Sequence, residues 1–324
     1  MADYINIKGS TIQYLDSDPT NPIVGQVWYN STTQILKGTI AGTAAGGSWS
    51  AGENLNTTRY PGAGNGIQTA ALAISGGGPN TANVENYNGS SWTEIANVNT
   101  TRNNAGASGT TTAGLFYGGG SPSATAVTET WDGSSWTEVN DLNTARRYLG
   151  GDGTSTAALA VSGSSGAEVE SWNGTSWSEI AEVNTTRTTL ASVGTSTAQL
   201  AFGGRLPTMT GITELWNGST WTEVNDMNNA RGELGGAGIV TSALAFGGST
   251  QPTASAFNHT ESWNGTSWTE VSNLATARAL GGASGASSSS ALYAGGTTDG
   301  GSTQVNATEE WLAPDFVTKT FDVS

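Results

Sequence analysis

Apolar residues along this chain come in short bursts that end in small ones. The bursts read AALAISGGG, TAGLFYGGG, ALAVSGSSG, QLAFGG, ALAFGG and ALYAGG. Between them, aromatic residues alternate with Ser, Thr and Glu, as in ESWNGTSWTEV at Glu261–Val271. Gly, Asn and Ser punctuate the pattern about every 8–12 residues, and no segment shows helical spacing of apolar positions. The pattern predicts short strands throughout, grouped in units of four.

The units repeat. The second Trp of each falls at Trp49, Trp92, Trp136, Trp177, Trp221 and Trp268, with gaps of 43, 44, 41, 44 and 47. An Arg follows each by ten residues, at Arg59, Arg102, Arg146, Arg187, Arg231 and Arg278. A Glu begins each aromatic segment, at Glu85, Glu129, Glu170, Glu214, Glu261 and Glu309. In five units the next Arg lies 17 residues after that Glu, which suggests an ion pair within the unit. Two roles are open for the Arg set: pinning the loop that enters the next unit, or lining a channel and binding an anion. Glu and the aromatic two positions on share a strand face. Aromatics repeated in this phase are expected to fill the space between units. The Asn-Gly or Asp-Gly that follows suits a hairpin turn. The sequons at Asn88, Asn173, Asn217 and Asn264 fall in that turn every time, so turn chemistry accounts for them without glycosylation.

A double glycine after an apolar strand, then Glu-x-Trp/Tyr, then Trp five residues on, resembles the kelch-type β-propeller repeat. The resemblance covers roughly residues 40–313. It departs from kelch in using Trp where Tyr is usual, in a short period, and in the degraded glycine pair at Ser162-Gly163. It implies an all-β, six-bladed β-propeller with four antiparallel strands per blade. The ends of the chain carry complementary fragments. Trp49 has Ala44 where an aromatic is expected, whereas Glu309 and Trp311 are followed by Phe316 where a Trp is expected. The ring is therefore expected to close by a strand near Trp49 joining one near Trp311. The sixth blade would take its other strands from about 280–296 and 305–312. Alternatively, the C-terminal VTKTFDVS supplies that outer strand and Trp49 begins an extra partial blade. The domains read as 1–41, an N-terminal hairpin or attachment segment, and 42–324, the propeller.

Composition narrows the function. Charged residues make up 11%, the net charge is −15, and cysteine is absent. The charge argues against nucleic acid and anionic membranes. No apolar run is long enough for a membrane helix, and MADYINIKGS lacks a signal-peptide core. The single histidine, His259, completes neither a metal site nor a catalytic triad. The expectation is a non-enzymatic protein without a cofactor.

Two features suggest what it does instead. The segment GQVWYNSTTQILKG reads as a hairpin with strands near 26–30 and 34–38. With the preceding DSDPTNP, it resembles the start of structural proteins of tailed bacteriophages, marine ones especially. The resemblance implies a virion-associated protein, made in the host cytoplasm without a signal peptide. It would be a tail- or head-fibre adhesin attached to other virion proteins through its N-terminus, with self-association left open. Its ligand would be a host surface glycan or protein. The alternative is a kelch-like protein–protein scaffold of non-viral origin. The second feature is loop length. Spacing varies most between the glycine pair and the next Glu, longest at 249–260 and 297–308. Binding concentrates on loops held by rigid scaffolds. The candidate ligand residues are Arg205, Met209, Gln251, Phe257, Asn258, His259, Asp299 and Gln304.

Overall fold

A computed structural model describes residues 12–19, 26–41, 47–60, 62–78, 80–120, 122–250, 255–299, 303–313 and 316–321. Among them there is no helix. By contacts the chain divides into Trp49–Trp311 and a smaller unit made of Met1–Ser48 with Leu312–Ser324.

The larger unit carries six four-stranded sheets. Sheet 1 holds Ala63–Ile67, Ala70–Gly76, Thr81–Tyr87 and Trp92–Ile95. Sheet 2 holds Gly106–Gly109, Gly114–Tyr117, Thr128–Trp131 and Trp136–Glu138. Sheet 3 holds Gly150–Gly153, Ala158–Val161, Val169–Trp172 and Trp177–Ile180. Sheet 4 holds Ala191–Thr195, Ala198–Phe202, Thr213–Trp216 and Trp221–Val224. Sheet 5 holds Gly235–Ile239, Ser242–Phe246, Thr260–Trp263 and Trp268–Glu270. Sheet 6 joins Gly282–Ser287, Ser290–Ala294 and Thr308–Leu312 to Ser48–Gly52, a strand from the other end of the chain. The Trp49 ring centre lies 5.5 Å from that of Trp311 in a tilted pair, as Trp177 lies 5.3 Å from Trp172 in sheet 3. The alternative, in which VTKTFDVS supplies this strand, is not found.

Strand chemistry changes in order across each sheet. First strands are rich in Gly, Ala and Ser, which lets neighbouring backbones approach. Second strands are buried along their length, as in LAF at Leu244–Phe246, and therefore read as unbroken apolar runs. Third strands bury Glu and Trp and expose the residue between them more. In sheets 1 to 5 fourth strands bury only their leading Trp and turn Thr, Ser and Glu outward, whereas Trp49 in sheet 6 is partly buried.

The apolar core is divided into clusters lying between successive sheets. Leu72, Ile74 and Val84 of sheet 1 meet Phe116, Trp131 and Trp136 of sheet 2. Equivalent clusters join sheets 2 to 3, 3 to 4, 4 to 5, 5 to 6, and 6 to 1. First strands also neighbour one another in that same succession, including Gly282–Ser287 of sheet 6 with Ala63–Ile67 of sheet 1.

After each second strand the chain turns through a residue with positive φ. It is Gly118, Gly203, Gly247 or Gly295 in four sheets and Ser75 or Ser162 in the other two. At Gly203 a Cβ would lie 2.7 Å from the carbonyl of Arg231. Where Ser stands, its hydroxyl accepts the N–H of the following Arg, 3.1 Å at both Ser75–Arg102 and Ser162–Arg187. The degraded glycine pair is thus a substitution in which a side-chain oxygen takes up the neighbouring backbone.

The smaller unit is a separate four-stranded sheet. Val27–Asn30 and Ile35–Ala41 form the hairpin expected from the sequence. Gln13–Leu15 adds in parallel on one side and Phe316–Phe321 antiparallel on the other. The C-terminal strand therefore groups with the N-terminal hairpin and not with the repeats, because its hydrogen bonds go to Ile35–Ala41. The boundary drawn at residue 42 lies outside the described residues. Asp18 accepts hydrogen bonds from Trp28 (3.0 Å) and Asn30 (2.8 Å) and pairs with Lys37 (2.5 Å). The Asn30 bond above all, then Lys37, holds its carboxyl well below the usual carboxylate range.

Candidate functional site

Every repeat Arg is buried and paired, though not with the Glu that precedes it. Arg59 binds Glu85, Arg102 binds Glu129, Arg146 binds Glu170, Arg187 binds Glu214 and Arg231 binds Glu261, each at 2.5 Å. Arg278 binds Glu309 at 3.1 Å. The expected pairing at a separation of 17 is therefore wrong. The partner follows its Arg by 26, 27, 24, 27, 30 and 31 residues in turn. The interval of 17 is constant because it crosses only the outer hairpin and a fixed linker. The true partners are separated by the variable loop, which hides their periodicity.

Each Glu also gathers the linker ahead of its Arg. Glu214 accepts the backbone N–H of Asn184 (2.7 Å) and Thr185 (3.3 Å) and the Asn184 amide (2.9 Å). The other guanidinium nitrogen of Arg187 donates to Ala201 O at 3.2 Å in the second strand. The arrangement recurs around Glu85, Glu129, Glu170 and Glu261, and at Glu309 without the Asn. Burial lowers the pKa of Arg59, Arg102, Arg231 and Arg278, opposed by the charge of the paired Glu. At Glu261 burial acts to raise the carboxyl, but the charge and hydrogen bonds of Arg231, with those of Asn228, outweigh it and hold it below its ordinary value.

The outer Trp side chains act between sheets. Trp92, Trp177, Trp268 and Trp49 donate from Nε1 to Thr308, Thr128, Thr213 and Thr260 of the preceding sheet. Trp136 and Trp221 donate to the carbonyls of Ala96 and Ala181 instead. In the outer turns, Asn264 Oδ1 accepts the N–H groups of Thr266 and Ser267, both at 2.9 Å. Asp132 does the same for Ser134 and Ser135 at 2.8 Å. These residues hold the scaffold.

The six first strands line a cavity of about 480 Å³. None of the paired Arg lines it, so the channel-lining role for the Arg set has no support here. One position per strand is equivalent by register: Asn65, Ser108, Asp152, Val193, Ala237 and Ser284 each pair with a Leu of the second strand. The polar members tie neighbours together. Ser284 Oγ donates to Asn65 O (2.9 Å), Asn65 Nδ2 donates to Ser108 O (3.0 Å), and Gly194 N–H donates to Asp152 Oδ2 (2.8 Å). Desolvation pushes the Asp152 carboxyl up to about 7, against the backbone N–H groups of Gly153 and Gly194. Asp152 lines the cavity and is half-buried. Sequence reasoning missed it, although Asp in GGDG, where the other repeats have Asn, Ser, Val or Ala, was a visible signal.

The sequence-predicted ligand residues lie on loops between second and third strands. Arg205 is exposed at the base of a two-stranded ribbon, Arg205–Leu206 with Thr208–Met209, and its Nε donates to Pro207 O at 3.1 Å. Met209 packs over Gly232 in the segment leading to sheet 5. Phe257 stacks on His259 at 4.9 Å. Asn258 turns inward, its Nδ2 donating to Leu274 O at 3.1 Å. Asp299 caps the N–H of Thr303 at 2.6 Å, and Gln304 lies against Gly78 of sheet 1. Gln251 lies outside the described residues. These loops pair with the segment just past each Arg, as in the bridges Thr188–Arg205, Gly232–Ser249 and Ala279–Thr297. The structure does not gather the candidates into one pocket. It sets them one sheet apart around the segments that follow the Arg residues.

Those segments contain a set that sequence reasoning missed. Asn104, Tyr148, Thr189, Glu233 and Leu280 each stand two residues past a paired Arg, and each has φ between 53° and 60°. Their backbones join in series. Tyr148 N–H donates to Asn104 O, Thr189 to Tyr148, and Glu233 to Thr189, each at 2.8 Å, and Leu280 donates to Glu233 at 2.9 Å. All five line a second cavity of about 130 Å³, whose wall includes Leu149, Leu190 and Leu234. Ser249 Oγ donates to Glu233 at 2.7 Å. The Arg147 guanidinium lies 5.0 Å from the Tyr148 ring centre. Burial, and then Tyr148, raise the phenol pKa of Tyr60 alongside.

A solved structure of YjhT matches this chain with a TM-score of 0.68 at 13% identity, covering 81% of this chain and 98% of the other. At that identity the likeness shows the fold alone, an all-β arrangement of mostly four-stranded antiparallel sheets consistent with a β-propeller. No protein-family model and no curated protein matches the sequence.

Proposed function

We propose that the chain is a six-bladed, kelch-like propeller serving as a non-enzymatic binding module. In this reading it is a virion-associated adhesin that recognises a host surface glycan or protein, with its N-terminal unit as the attachment point to other virion proteins. The blade count is supported by the six sheets and by the succession of first-strand neighbours that returns from sheet 6 to sheet 1. The hydrogen bond from Gly296 N–H to Arg59 O, 3.1 Å, adds a tie across the same joint.

One observation carries the binding role. The repeats hold their Arg, Glu and Trp residues in place throughout, while loops of differing length and sequence all pair with the segments past the Arg residues. A scaffold serving only its own stability has no need of such differences on one face. The viral setting is carried by the resemblance of the N-terminal hairpin. The test is binding of the purified protein to a glycan array and to bacterial cells, with inhibition of plaque formation. Replacing the 249–260 loop is expected to lower binding at least about tenfold, as loss of a central contact does. Unchanged binding would move the face elsewhere, and capture of a soluble protein without glycan or cell binding would favour the scaffold alternative.

A further inference from the structure

We infer that Asn104, Tyr148, Thr189, Glu233 and Leu280 form a receptor for a single neutral or amine-bearing sugar unit. This deepens the proposed binding role and rests on it. Left-handed backbone is disfavoured for residues with a Cβ, and most strongly for β-branched or bulky ones. Glycine would fit all five positions without that cost. The chain nevertheless carries an amide, a phenol, a hydroxyl, a carboxylate and an isobutyl group there, a different one in each of five repeats. Elsewhere the same repeats use Gly at their positive-φ turns, or Ser whose hydroxyl replaces a backbone contact. A costly backbone kept identical while its side chains differ indicates that the side chains are what is used.

The chemistry of the cavity selects the ligand. Its volume, about 130 Å³, is well below that of drug-sized pockets and admits one small unit. Leu149, Leu190, Leu234 and Leu280 supply an apolar side, and Asn104, Tyr148, Thr189 and Glu233 add amide, hydroxyl and carboxylate groups. An apolar patch beside hydrogen-bonding groups matches a pyranose, which has an apolar face and a polar rim. Glu233 is the only charged side chain lining the cavity among the described residues, and Ser249 holds its carboxylate. An acidic sugar would meet like charge there, whereas an amino group would meet its complement. The surrounding loops then read the remainder of the glycan beyond its terminal unit.

Ligand-detected NMR with free hexoses, N-acetylhexosamines, amino sugars and a sialic acid would test this on the full chain. At least one neutral or amino sugar is expected to bind, and the sialic acid is not. Glu233→Gly and Tyr148→Gly are each expected to weaken that sugar at least about tenfold while Tm holds or rises, because glycine relieves the backbone. Replacing residues 251–255, which leaves Ser249 and its bond to Glu233 in place, is expected to alter array binding of larger glycans and leave the monosaccharide within about twofold, as for independent sites. Retained sugar binding in both glycine variants overturns the receptor, as does preferential binding of the sialic acid. Loop-dependent cell binding with no monosaccharide bound overturns it while leaving the adhesin reading intact. Absence of any binding to array, cells and sugars removes both.

Discussion

The six Arg–Glu locks and the five described residues two past an Arg both repeat in backbone, but they treat side chains in opposite ways. In the locks, each guanidinium meets its carboxylate with 0–1% of the Arg surface exposed, and the same linker groups close around the Glu. Two residues on, the backbone is again the same, but Asn, Tyr, Thr, Glu and Leu take turns. Repetition of a side chain in this molecule marks what binds sheet to sheet. Under the proposed function, repetition of a conformation with changing side chains marks where the protein faces its ligand.

The contrast can be broken at several strengths. Glu214→Ala should have the largest effect, because it leaves Arg187 buried without its counter-charge. A loss of about 3–5 kcal/mol is expected by chemical denaturation. Replacing both partners by apolar residues should recover much of it. Trp268→Ala should lose roughly 3 kcal/mol by opening the packing against Phe202 and freeing Thr213.

Asp152 and Glu261 should pull stability in opposite directions with pH. The Asp152 carboxyl holds its proton to about pH 7 in the fold and to about pH 4 when unfolded. Its contribution is full below the unfolded value and is lost as pH rises toward 7. Glu261 has a lowered folded pKa, so its contribution is present above the unfolded value and is lost on acidification. Asp152→Ser, the residue found at the equivalent position in sheets 2 and 6, should remove a decline of roughly 2 kcal/mol between pH 5 and 8. A Tm profile that keeps its slope in this variant would show that Asp152 titrates normally. Asn264→Ala should lose about 1 kcal/mol through its two turn hydrogen bonds. Thr189→Gly should have the smallest effect and the opposite sign, a gain of up to ~1 kcal/mol.

Much of the scaffold was legible in the sequence because it is written in strictly spaced residues. Trp49 and Trp311 revealed the shared sheet by being fragments of one motif, and the structure places Ser48–Gly52 beside Thr308–Leu312. The Arg partners were misread for the same reason that the repeat was seen. A fixed spacing reports a stretch without insertions, and contact is a separate matter. Glu85 and Arg59 touch across a loop whose length varies among repeats, so their interval carries no regularity. The residues two past each Arg escaped notice because they share no identity. Only their φ angles unite them, and φ angles are not spelled in side chains. Asp152 stood out in GGDG, but its neighbour Gly194 belongs to the next sheet, 42 residues on.

The strand borrowed by sheet 6 has a consequence for the order of events in making the protein. Ser48–Gly52 emerges early in synthesis, yet the residues it hydrogen-bonds to begin at Thr308. The bond from Asn306 to Leu55 O spans 251 residues of chain. Until the ribosome has passed that point, this segment has no native strand partner, and the first five sheets can mature before it gains one. Closing so distant a contact is slow. The last sheet thus works as a length check: a chain released too soon keeps an open edge, and completion of the fold signals completion of the message through residue 312.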